Sequence, residues 1–107
     1  MKSSQAVASL GALAQETRLS LFRRLVAAGP EGLAAGALAE FLKVAPPTLS
    51  FHLKELESAG LIRQRREGRS IIYTAQYEKM RALLSYLMED CCKGRPEICN
   101  IEIRCCA

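Results

Sequence analysis

The stretch Pro46-Pro47-Thr48-Leu49-Ser50-Phe51-His52-Leu53-Lys54-Glu55-Leu56-Glu57-Ser58-Ala59-Gly60 decides the fold. Proline is tolerated in the first turn of a helix, where its missing N–H costs no intrahelical bond, so the pair Pro46-Pro47 marks a helix start. From there to Ala59 the residues Leu49, Leu53 and Leu56 form one apolar stripe, and Gly60 stands where a C-terminal cap belongs. At about 100° per residue the opposite face holds Pro47, Phe51, Lys54 and Ser58, with Thr48 and Ser50 on its flanks. Such a helix buries one side and offers hydroxyls, a cation and an outward aromatic on the other.

Upstream, Lys43-Val44-Ala45 makes a tight connection from a short helix around Ala34 to Leu42, which turns Leu38 and Leu42 inward. Downstream, Leu61 to Arg66 and Ser70 to Thr74 read as two strands joined by Glu67-Gly68-Arg69, a glycine-containing turn of hairpin length. Arg63, Arg65, Arg66 and Arg69 fall within seven residues against the single acid Glu67, so this hairpin is basic. Further out, a helix from Glu16 or Thr17 to Ala28 places Leu19, Phe22, Leu25 and Val26 on one face, with Arg18, Arg23 and Arg24 off it, and Gly29-Pro30 stops it. A first helix over Gln5 to Ala14 is apolar round much of its circumference through Val7, Leu10 and Leu13, which calls for partners on more than one side. The last helix is expected over Tyr77 to Cys92, where Tyr77, Met80, Leu84, Leu87 and Cys91 are spaced as a narrow helix–helix seam.

The 107 residues have room for one domain, and a domain this small gains from dimerisation. Half are apolar and about a quarter charged, an ordinary globular balance. No apolar run approaches the roughly 18 to 20 residues of a membrane span, and the N-terminus lacks the pattern of a secretory signal, so a cytoplasmic protein without membrane contact is expected. A net charge of +4 suits nucleic acid but fits a solvated surface too. Catalysis is not expected: there is no glycine-rich phosphate loop and no nucleophile–base set, and the one histidine, His52, lies on the decisive helix.

Helix, tight turn, helix and basic hairpin in that order make a mainly α fold with a small β-hairpin, the winged helix-turn-helix, in which the second helix enters the major groove. The string from Thr48 to Ile62, followed by Arg66-Glu67-Gly68-Arg69 and Tyr73 and preceded by Leu13-Ala14-Gln15-Glu16-Thr17-Arg18-Leu19, resembles the ArsR/SmtB family of metal-responsive repressors over roughly Leu10 to Leu87. The resemblance implies a homodimer held by the first and last helices on an imperfectly palindromic operator. The expected DNA-binding residues are Pro47, Thr48, Ser50, Phe51, His52, Lys54, Arg65, Arg66 and Arg69. Thr48 and Ser50 offer hydroxyls near a helix N-terminus, and Phe51 can pack on a thymine methyl or fold back onto a neighbouring helix. His52, at the edge of the apolar stripe, reads equally as a phosphate contact or a core-edge residue. The arginines read as phosphate contacts, or as charges that protect an edge strand.

All five cysteines, Cys91, Cys92, Cys99, Cys105 and Cys106, lie in the final 17 residues. A fold stapled by disulfides would spread them, and an odd number points to reduced thiols with metal or redox chemistry. Thiolates select soft ions, and arsenite takes three sulfurs with no fourth ligand. One arsenite-responsive branch of the resembled family carries a vicinal cysteine pair at the end of its final helix and a third cysteine a few residues on. Cys91, Cys92 and Cys99 match that pattern, with one residue more before the third. The resemblance thus implies As(III), with Sb(III) or methylated As(III) as alternatives, as the inducer bound by these three. Cys105 and Cys106 can replace Cys99, form a separate site or stay free. The domain expectation is residues 1–92 for DNA binding and dimerisation and 93–107 for the sensor tail. A thiol redox switch and a zinc-stabilised tail are the competing readings.

Overall fold

The structure, a computed structural model, describes residues 1–89. Five helices and three short strands follow in the order α1 (Ser3–Leu13), α2 (Glu16–Ala28), β1 (Leu33–Ala34), α3 (Ala35–Leu42), α4 (Pro46–Ser58), β2 (Ile62–Glu67), β3 (Ser70–Ala75) and α5 (Tyr77–Leu87). The sheet is antiparallel with order β1-β3-β2. No described helix is long and apolar enough to cross a membrane.

Side chains and backbone turns set the helix ends. The Gln15 side chain accepts the Arg18 N–H at 2.8 Å and so starts α2. Both α3 and α4 close with the paired bonds of a Schellman turn. After α4, the Gly60 N–H donates to Glu57 O at 2.9 Å and the Leu61 N–H to Leu56 O at 3.0 Å, with Gly60 at φ 79°. That turn brings Leu61 back onto Leu56, and both are fully buried. After α3 the left-handed position falls on Lys43, at φ 55°, a conformation costing a side-chain-bearing residue about 1–2 kcal/mol. The strain makes the connection between α3 and α4 tight.

The core joins Leu21, Phe22 and Leu25 of α2 to Leu38, to Leu49, Leu53 and Leu56 of α4, and to Leu61, Ile62 and Ala75 of the sheet. One sequence expectation changes here. Leu19 is exposed and Leu21 is fully buried in its place. The centre of the buried face passes through Leu21, Leu25 and Phe22, roughly 110° round the helix from Leu19, and this rotation turns Arg18 inward. The strand Leu33–Ala34, at the expected start of the short helix, exists because it pairs with Tyr73 and Ile72 of β3.

α1 meets the body through its small residues Ala6, Ser9 and Ala12, leaving Val7 66% and Leu10 42% exposed. On α5, Tyr77 and Met80 pack on the core, Leu83 is buried, and the Tyr77 hydroxyl donates to Val26 O at 3.0 Å. Leu84 and Leu87 share that face within about 100°, yet Leu84 is half-buried and Leu87 exposed. The helix closes at Leu87, with the Met88 N–H on Leu84 O and the Glu89 N–H on Tyr86 O, and its expected end at Cys92 lies outside the described residues. The expected domain boundary at residue 92 lies outside the described residues.

Candidate nucleic-acid interface

α4 is seated by its stripe, since Leu49, His52, Leu53 and Leu56 are buried. Its other side is bare: Pro47, Thr48, Ser50, Phe51 and Lys54 are all exposed, as expected from the spacing. Phe51 stands 57% exposed and meets its neighbour His52 edge-on, with ring centroids 5.6 Å apart, so it does not fold back onto another helix. A large apolar ring held outward beside hydroxyls and an ammonium is the equipment for reading base edges and thymine methyls.

His52 stands at the core edge, the structural one of its two expected places. Its ring is 8% exposed, and Nδ1 lies 3.3 Å from Arg18 Nη1. The same guanidinium donates through Nε to the Ala12 carbonyl at 2.6 Å. Arg18 escaped the sequence reading because arginines on a helix are ordinarily assigned to solvent.

The hairpin tip extends away from the core, and from Arg63 to Ser70 every residue is exposed. Positive φ in its two-residue turn is confined to Gly68, the pattern of a II′ loop. Side chains alternate across the sheet, so Gln64 and Arg66 continue the side of buried Ile62, while Arg63, Arg65 and Glu67 take the other. Arg66 and Arg69 project freely at the tip. Arg65 does not: Nη1 donates to Pro30 O at 3.1 Å, Nη2 to Glu31 O at 2.8 Å, and Nε pairs with Glu67 Oε1 at 3.4 Å. Tyr73, on β3 of the hairpin, has its pKa raised by burial and by the nearby Glu57 carboxylate, which keeps the phenol neutral.

Cys91, Cys92 and Cys99, expected as metal ligands, lie outside the described residues, as do Cys105 and Cys106. Among the described residues no cluster of His, Cys, Asp and Glu suits a metal ion.

A helix-turn-helix domain model matches residues 13–65. The chain is 31% identical over 92 residues to the transcriptional activator HlyU of Vibrio cholerae, an alignment covering 86% of this chain and 82% of that one. A solved structure of HlyU superposes with a TM-score of 0.67 at 31% identity over 84% of this chain and 95% of that chain, and a structure of its reduced form gives 0.64 at 30%, over 84% and 92%. An ArsR-like regulator from a Rhodococcus species gives 0.74 at 24% identity over 90% and 88%, a likeness of fold alone. The homodimeric winged helix-turn-helix domain of a possible ArsR-family regulator from Mycobacterium bovis gives 0.65 at 25%, over 95% and 89%. An exposed reading helix, a basic wing and these relatives together make the chain a DNA-binding transcriptional regulator rather than an enzyme, and it belongs to the ArsR family of winged helix-turn-helix proteins.

Proposed function

We propose that the chain is a cytoplasmic homodimeric repressor that trivalent arsenic, bound by Cys91, Cys92 and Cys99, releases from an operator. The DNA half of the reading is carried by the outward face of α4, with Thr48, Ser50 and Phe51 addressing base edges and Pro47, Lys54, Arg66 and Arg69 along the backbone. The dimer is supported by Val7, Leu10 and Leu87, apolar side chains that one protomer leaves uncovered. The sensing half rests on the donor set: five thiols and no other soft ligand in the last 17 residues. Arsenite, antimonite and methylated arsenicals accept two or three thiolates, whereas nickel favours imidazole partners that this set lacks and zinc would call for a fourth thiolate.

Release follows from linkage. An inducer that binds one dimer geometry better than the DNA-bound one lowers operator affinity by that preference, and a coupling of about 1–3 kcal/mol is roughly 5- to 150-fold in occupancy. A thiol redox switch is the second reading, favoured by the likeness to HlyU, whose reduced form has been solved. The name of that relative also makes activation the alternative to repression.

The deciding experiment selects a duplex from a random pool and titrates its complex with fully reduced protein using arsenite, antimonite, cadmium and zinc, then peroxide. Release by arsenite at stoichiometric thiol occupancy supports the arsenic reading. Release by peroxide alone, reversed by a dithiol, selects the redox reading.

A further inference from the structure

We propose that Arg65 is a positioning residue of the wing, a clasp that fixes where the basic hairpin stands, and that it contacts no DNA itself. The inference rests on the DNA-binding reading above but reassigns one of its arginines.

The guanidinium is a rigid fork of five N–H donors. Here two prongs fall on consecutive backbone carbonyls, Pro30 O at 3.1 Å and Glu31 O at 2.8 Å. Those carbonyls belong to a turn built to present them. Gly29 and Gly32 hold φ of 79° and 70°, values that side-chain-bearing residues rarely adopt, and the Gly32 N–H closes the turn on Gly29 O at 3.1 Å. The turn is also pressed against β3. A Cβ on Gly32 would come within 2.6 Å of Thr74 Cγ2 and 2.9 Å of Ile72 Cγ2. Ile72 is the register partner of Arg65, so the turn lies against the same side of the hairpin from which Arg65 projects. Past this point the hairpin has no buried residue until Ala75, and the clasp ties β2 at the level where Ala34 of β1 ties β3 at Ile72. Three of the five donors of this arginine are already engaged, so a phosphate would have to compete with carbonyls that hold the fork. Arg66 and Arg69 need displace nothing.

The test compares Arg65→Gln, Arg65→Lys, Arg66→Gln and Gly32→Ala in the full chain, on the selected duplex and free of DNA. Lysine keeps the charge but lacks the planar fork that meets the two carbonyls side by side. As a clasp, Arg65→Gln and Arg65→Lys should weaken DNA binding alike, about tenfold, with the slope of log affinity against log salt unchanged. Arg66→Gln should reduce that slope by about 0.9, the signature of one lost phosphate contact. Without DNA, amide exchange over residues 66–70 should speed up in both Arg65 variants and in Gly32→Ala, which alters no charge, and stay at the wild-type rate in Arg66→Gln. Circular dichroism confirms that each variant is folded. A slope lowered by Arg65→Gln and restored by Arg65→Lys overturns the proposal, as does unaltered exchange in the Arg65 variants. Failure of the wild-type chain to bind any duplex sinks the DNA-binding reading instead, while the exchange result still judges the clasp.

Discussion

Arg18 Nη1 lies 3.3 Å from His52 Nδ1, and since arginine only donates, Nδ1 is the acceptor of this contact. Because Arg18 also holds the Ala12 carbonyl, the end of α1, the start of α2 and the reading helix α4 meet at one side chain. The carbonyl at that helix end would otherwise lack a partner.

Arg18→Ala should therefore lower the unfolding free energy by about 1–3 kcal/mol, the cost of stranding partly buried partners. His52→Asn, whose Oδ1 can replace Nδ1 as acceptor, should cost less than His52→Ala. The check is a double-mutant cycle by urea unfolding. Additivity of Arg18→Ala and His52→Ala within about 0.3–0.5 kcal/mol would show that the two do not interact.

On the outward face of α4, Ser50→Ala and Phe51→Ala should narrow the gap between specific and random DNA by about 1–3 kcal/mol each, with stability nearly unchanged because both side chains are exposed. Competition binding with the selected duplex and a scrambled one measures that gap. Equal loss on both duplexes would assign Phe51 to general affinity rather than base reading.

How far these residues were legible differs from one to the next. The seat and face of α4 could be read because two prolines, a glycine and three leucines at helical spacing are local signals. The hairpin was legible for the same reason, through Gly68 and flanking β-branched residues. Leu33–Ala34 was not: two residues carry no alternation, and their strand exists only through pairing with β3, roughly forty positions away. The exchange of Leu19 for Leu21 depends on which side of α2 its neighbours occupy, which periodicity alone leaves open when apolar residues cover half the helix. The contacts of Arg18 and Arg65 were equally illegible, since composition cannot distinguish a solvated arginine from one whose fork meets carbonyls across the fold. For the cysteines, donor chemistry was legible, and their arrangement lies outside the described residues.

Substituting Leu10→Glu on α1, or Leu87→Glu on α5, should turn the proposed dimer into a folded monomer, because each places a charge on an apolar surface outside the protomer's own core. Sedimentation equilibrium at micromolar concentration decides this, with Phe41→Glu, an exposed position on α3, as the control that stays dimeric. A wild-type chain sedimenting as a monomer would remove the proposed interface.

Arsenic should bind with the operator and inducer opposing each other by one common factor, because the coupling is reciprocal. Arsenic affinity measured with and without the selected duplex must therefore differ by the same ratio as duplex affinity measured with and without arsenic. Cys92→Ser should bind DNA normally and ignore arsenic. If Cys99→Ser responds fully while replacing Cys105 and Cys106 together abolishes the response, the third ligand belongs to the distal pair.

The docking of α1 through Ala6, Ser9 and Ala12 has a mechanical consequence. Side chains this short form a nearly smooth track with few projections to interlock, so the contact resists separation more than it resists sliding. The Ser9 hydroxyl, buried without a partner, adds no directional bond to hold one position. In the proposed dimer the α1 side of the joint between the paired helices and each reading head is then a bearing pinned by the Arg18 bond to Ala12, while the Tyr77 bond to Val26 holds the α5 side. Travel along that track would let two heads on one dimer adjust their separation to successive turns of the major groove, without either head repacking its own interior.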